Sequence, residues 1–125
     1  MKNLKSKTNI TLFFGVLILT IISFSCSKDK VPTMVLNPSD CPKQISFKTD
    51  IMKIMNDNCT SCHNSGNASA GFDLSTYDGV ATNPSIILSS MKQDGLAKSM
   101  PIGSKLPDST VQKFYCWINQ GKLNN

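Results

Sequence analysis

Five consecutive residues carry the strongest chemical signal in this 125-residue chain: Cys59-Thr60-Ser61-Cys62-His63. Two thiols three positions apart, followed at once by an imidazole, form a C-x-x-C-H pattern. Its usual chemistry is the covalent attachment of haem. Each thiol can add to one vinyl group of the porphyrin, and the adjacent histidine then reaches the iron from beneath. His63 is the only histidine in the chain. Zinc is a poorer fit, because a closed zinc site takes four Cys, His or carboxylate ligands, commonly as two separated pairs. There is no second C-x-x-C, and the neighbours Cys62 and His63 are awkward joint ligands for one tetrahedral ion. A thioredoxin-like dithiol would follow a strand in a βαβ pattern, and no such pattern is present.

One histidine excludes ligation of the iron by two, so the sixth ligand is expected to be a methionine thioether. Met52 and Met55 lie on the helix leading into the attachment motif and would approach the wrong face. Met91 falls in an expected helix. Met100 precedes Pro101 in a Pro/Gly-rich loop, and a loop can present a thioether to a flat ring. Met100 is therefore the expected distal ligand, with Met91 as the alternative. Iron held by His and Met is saturated and suits single-electron transfer. An open sixth position would instead suit a haem-based sensor or a peroxidase-like protein. A third possibility is a non-redox binding lipoprotein in which haem is only structural.

The chain begins with Lys2, Lys5 and Lys7, then an apolar run from Ile10 to Phe24 and small residues up to Cys26. That is the layout of a secretory signal peptide. The run is about 15 residues, short of the roughly 20 that a spanning helix needs. Ser23-Phe24-Ser25-Cys26 resembles a lipobox of the looser kind found in Bacteroidetes lipoproteins, which implies lipidation at Cys26. All 13 basic residues are lysine and all 8 acidic ones aspartate; removing the three leader lysines leaves ten against eight, a net +2. With no arginine and no basic cluster, a nucleic-acid partner has little support. The expected division is a signal peptide at 1–25, a lipidated cysteine and tether at 26–40, and a domain at 41–125. The expected location is the cell envelope, with the chain anchored by lipid to the outer membrane.

Of the five cysteines, Cys26 is assigned to lipid and Cys59 and Cys62 to haem. Cys41 and Cys116 remain, and outside the cytoplasm they are expected to pair as a disulfide. It would close a loop of about 75 residues, nominally worth about 4 kcal/mol through chain entropy.

The elements that would position these groups read as helices. Phe47, Ile51, Ile54 and Met55 fall on one face of a 3.6-residue period, which predicts a helix over 47–58 capped by Ser46. A short helix or turn is expected over 75–81 with Ser75 as cap. Asn83-Pro84 opens another over 84–93. Gly95, Pro101, Gly103 and Pro107 mark an irregular loop. A last helix over 108–120 carries Val111, Phe114, Tyr115 and Ile118 on its apolar face, with Gly121 as its stop. Lys92, Lys98 and Lys105 flank the Met100 loop and could form a docking rim.

Residues 45–122 as a whole resemble the small c-type cytochrome domains of planctomycete-type and Bacteroidetes exported proteins. The resemblance rests on the Phe47-led helix into the C-x-x-C-H motif and on Gly71-Phe72-Asp73-Leu74-Ser75-Thr76-Tyr77. It rests also on Ser99-Met100-Pro101, Lys105-Leu106-Pro107-Asp108 and the Cys116-Trp117-Ile118-Asn119-Gln120-Gly121 close. It implies an all-α, class I-like cytochrome c fold of about three to four helices around one covalent haem c. The first and last helices would be packed together through Phe47 and either Phe114 or Trp117. It also implies Met100 as distal ligand. The expected function is a monomeric electron carrier, not an enzyme, with other envelope redox proteins as partners.

Overall fold

A computed structural model describes residues 34–42 and 44–125. The leader and Cys26 lie outside the described residues. These residues belong to one compact unit and are mostly helical, with 49% helix against 4% strand. Among them no helix is long and apolar enough to cross a membrane.

A π-helical turn, Phe47–Ile51, leads directly into α1, Met52–Asn58. Ser46 caps the turn: its hydroxyl accepts from the Thr49 N–H, and its own N–H donates to the Asp50 carboxylate at 3.0 Å. This is the reciprocal logic of a capping box, opened by one residue to suit the wider turn. The backbone donor from Ser46, with Lys113 beside it at 3.2 Å, holds the Asp50 carboxyl below its usual range. The four residues of the expected stripe are all buried.

After α1 come two paired dipeptides, β1 (His63–Asn64) and β2 (Asn67–Ala68), with His63 opposite Ala68. No strand is expected from the sequence here. The Asn64 side chain creates one, its Oδ1 accepting from Gly66 N–H at 2.8 Å and Asn67 N–H at 2.9 Å. A side chain that folds the backbone onto itself in this way leaves no hydropathy pattern. α2 (Tyr77–Thr82), α3 (Pro84–Lys92) and α4 (Asp108–Asn119) complete the unit. α2 starts later than expected, because Thr76 rather than Ser75 supplies the cap, accepting from Gly79 N–H at 3.1 Å. Ser75 is engaged by Asp73 instead.

The core forms where the first and last helices meet. Trp117 lies 5.6 Å from both Phe47 and Phe114 between ring centroids, and Tyr77 meets Phe47 edge-on at 5.0 Å. On α4 the fully buried positions are Val111, Phe114, Cys116 and Trp117, whereas Tyr115 and Ile118 are half-buried. The apolar face is thus rotated from the expected one, since the indole fills the crossing. α4 stops in a Schellman arrangement: Gly121 N–H bonds Ile118 C=O and Lys122 N–H bonds Trp117 C=O, with Gly121 at φ +89°.

Two segments outside the helices dock where the sequence suggests free chain. The C-terminal residues turn back, and Lys122 C=O and Leu123 C=O accept from Tyr77 Oη and Trp117 Nε1 at 2.8 and 3.0 Å. Asn125 Oδ1 accepts from Phe47 N–H at 2.8 Å. Residues 34–42 and 44–45, expected to be tether as far as 40, run along one stripe of α4. Gln112 exchanges two hydrogen bonds with the Asn37 backbone, Cys116 is disulfide-bonded to Cys41, and Gln120 bonds Pro42 C=O and Ile45 N–H, both at 2.8 Å. Gln112, Cys116 and Gln120 are spaced four apart, so they share a helix face.

The cross-link spans 75 residues. Replacing both Cys41 and Cys116 by Ala is expected to lower unfolding free energy by about 2–5 kcal/mol. Denaturant titration of the double variant against the oxidised chain measures it, and equal midpoints would mean that the amide bonds alone hold the strap.

Candidate functional site

The attachment motif occupies the turn that ends α1. Cys59 N–H and Thr60 N–H both bond Met55 C=O, at 2.8 and 3.0 Å, so the helix closes on a shared acceptor. Cys59 C=O then accepts from Cys62 N–H and His63 N–H, at 3.1 and 3.0 Å. The turn brings Cys59, Cys62 and His63 together within one continuous piece of backbone. Both cysteines are free thiols. Cys62 is exposed, while Cys59 is half-buried against the core. Burial pushes the Cys59 thiol up to about 11, because the thiolate loses its hydration there.

His63 is gripped from outside the motif. Its Nδ1 lies 3.3 Å from Phe72 C=O, and its own C=O accepts from Leu74 N–H at 2.9 Å. The Phe72 ring stands edge-on to the imidazole, with centroids 6.4 Å apart. A carbonyl oxygen can only accept, so the Nδ1 contact requires the proton on Nδ1. That leaves the Nε2 lone pair for a metal. A second hydrogen bond of this kind is how a ligating histidine is usually oriented and its tautomer chosen.

The two methionines differ. Met91 is 2% exposed and sits in the core cluster. Met100 is half-buried in the loop between α3 and α4 and is fastened by its N–H to Ser90 C=O at 3.0 Å. It makes no hydrogen bond to the 59–63 turn. On the same loop Leu96 and Ile102 are 86% and 76% exposed. The expected lysine rim is largely neutralised: Lys92 pairs with Asp94 at 3.0 Å and Lys105 with Asp108 at 3.4 Å. Of the three, Lys98 alone makes no ion pair among the described residues. A cleft of about 330 Å3 opens beside Lys53, Asp57 and Lys113, and neither thiol nor the imidazole lines it.

The residues present fit a covalent haem. Two free thiols and a histidine with Nε2 unengaged stand in one turn, and the Met100 loop exposes apolar side chains of the kind a porphyrin face would cover. Among the described residues no three His, Cys, Asp or Glu side chains converge as they would on a bare ion. The sequence did not point to the Phe72 carbonyl, since a backbone acceptor has no residue signature. The nearest hint is Asp73 followed two residues later by Ser75, the mark of an Asx turn. Comparison with protein-family models, with curated proteins and with solved structures finds no match.

The thiol asymmetry is measurable. In the chain without porphyrin, Cys62 is expected to alkylate first. The shift at Cys59 from 9.0 to about 11 lowers its thiolate fraction about 100-fold. Cys59 should therefore label about 100-fold more slowly in the folded chain than in urea, and catch up as pH rises toward 11. Mass mapping of the labelled peptides checks this, and equal rates for folded and unfolded chain would contradict it.

Proposed function

We propose that this chain is a monohaem c-type cytochrome that carries single electrons in the cell envelope. One observation supports it above the others: the two free thiols of the C-x-x-C-H turn stand beside a histidine whose Nδ1 is engaged by Phe72 C=O, with Nε2 left over. Haem, when bound, supplies an iron that takes up one electron and gives it back. Every other task falls to the protein. Cys59 and Cys62, both free thiols, would hold the porphyrin through two carbon–sulfur bonds. His63 Nε2 would hold the iron, and the Phe72 carbonyl, by drawing on the Nδ1 proton, would make the imidazole a better donor.

Met100 is the proposed distal ligand. Met91 is already used in packing, and its thioether would have to leave the core to reach an iron. Met100 is half-buried in a loop and lies outside the core cluster. A thioether ligand there would raise the reduction potential, since soft sulfur favours the reduced iron. Leu96 and Ile102 would shield the ring on this side. The lipid at Cys26 would tether the domain to the outer membrane, with other envelope redox proteins as partners. The role is carriage rather than catalysis.

Expression with haem-attachment machinery tests the reading directly. The intact mass should rise by one porphyrin, and the rise should vanish in a Cys59→Ser, Cys62→Ser variant. The ferric protein should show the weak far-red band of sulfur–iron bonding. Met100→Ala should abolish that band with little loss of stability. Met91→Ala should keep it and lose about 2–5 kcal/mol of stability, as a buried core truncation does. Absence of added mass would overturn the proposal.

A further inference from the structure

Behind the residues that grip His63 stands a glycine with no spare room. A Cβ on Gly79 would lie 1.7 Å from the Asp73 carbonyl oxygen and 2.9 Å from its carbon. Ordinary contact begins at 3.4 Å, so the carbonyl would have to withdraw by well over an ångström. Gly79 is on α2, which is firmly held through Tyr77 and Val80. Val80 is fully buried, and Tyr77 is wedged against Phe47 and Trp117 with its hydroxyl bonded to Lys122 C=O. The segment in front of it is lighter. Phe72 and Asp73 are half-buried, and Asp73 is braced by its own carboxylate accepting from Ser75 N–H at 2.9 Å and from the Ser75 hydroxyl.

That segment is the one whose Phe72 C=O and Leu74 N–H hold the imidazole and the carbonyl of His63. At 3.3 Å the Nδ1 contact is already at the long end for a hydrogen bond, so a small retreat breaks it. We propose that Gly79 is a positioning residue for His63. By letting α2 pack directly on the Asp73 backbone, it presses the Phe72 carbonyl onto Nδ1 and so reserves Nε2 for the iron. The inference rests on the haem reading for its purpose, but its geometry does not need porphyrin to be observed.

The experiment uses the full chain without porphyrin and nitrogen-15 NMR of its only imidazole, whose two ring-nitrogen shifts report which one carries the proton. The wild-type ring should be protonated on Nδ1. In Gly79→Ala the proton should move toward Nε2, and exchange of the Nδ1 proton with water should speed up about tenfold, the fold-change that one lost hydrogen bond of ordinary net worth sets. Val80→Ala, a core truncation on the same helix, should lower stability without moving either signal, which separates positioning from mere destabilisation. If Gly79→Ala does not fold, Ser75→Ala loosens the Asp73 brace without adding an atom, and the same shift in smaller measure is expected. A wild-type ring protonated on Nε2 would overturn the proposal. So would signals unchanged in folded Gly79→Ala, or in Ser75→Ala where the first variant fails. Porphyrin attachment, read separately by mass, decides the haem reading whatever the NMR returns.

Discussion

Trp117 packs against Phe47 on one side and Phe114 on the other, each at 5.6 Å, and the position of the attachment turn depends on that contact. Phe47 begins the helical run that ends at Cys59. Holding its ring against α4 fixes the direction from which α1 delivers the two thiols. The indole N–H would be a liability in so dry a place, because burying an unpaired donor costs free energy. Leu123 C=O removes the liability by accepting from it. The chain's last residues thus satisfy the polar edge of the core, and Asn125 also serves as acceptor for the first turn of the first helix.

The core of so small a domain is thin, and small domains usually carry a covalent reinforcement. Here the strap of residues 34–42 and 44–45 is laced to a single stripe of α4 by side-chain amide hydrogen bonds at Gln112 and Gln120, with the disulfide between them. The amides set the register that brings Cys41 to Cys116, and the disulfide closes it. The consequence for the proposed function is mechanical. Any pull from a lipid anchor upstream would arrive on α4, the best-packed helix, and not on the loop that carries Met100. Among the described residues two thiols remain uncommitted after this pairing, and they are the two that the haem reading requires.

The proposed iron site is built from a local and a non-local part. Cys59, Cys62 and His63 are brought together by one turn of backbone, so their proximity needs no tertiary structure. The orientation of the imidazole does, because it comes from Phe72 C=O and Leu74 N–H nine and eleven positions on, held in turn by α2 through Gly79. Rigid second contacts of this kind keep a ligand in one pose and tune its basicity. The lysines near Met100 contribute less than their number suggests, since Asp94 and Asp108 already pair with two of them. Steering by net positive charge at that loop is correspondingly weak.

Patterns confined to a few neighbouring residues were legible without coordinates. The C-x-x-C-H spacing, the Phe47–Met55 stripe, the Asn83-Pro84 start of α3 and the Gly121 stop of α4 all act through local backbone geometry, which sequence encodes directly. Helical class followed from those, and so did the choice of Cys41 and Cys116 as the remaining pair. What distant segments do to one another was not legible. The strap along α4, the returning C-terminus and the Phe72 carbonyl on His63 are made largely by backbone groups and ordinary polar side chains that meet across 6 to 80 positions, and the face of α4 is rotated by the indole at the crossing. A carbonyl is present at every residue and glutamine is an ordinary surface side chain, so composition cannot say which ones will meet. Only the packing of Trp117 between the first and last helices decides it, because that contact sets which backbone atoms face each other.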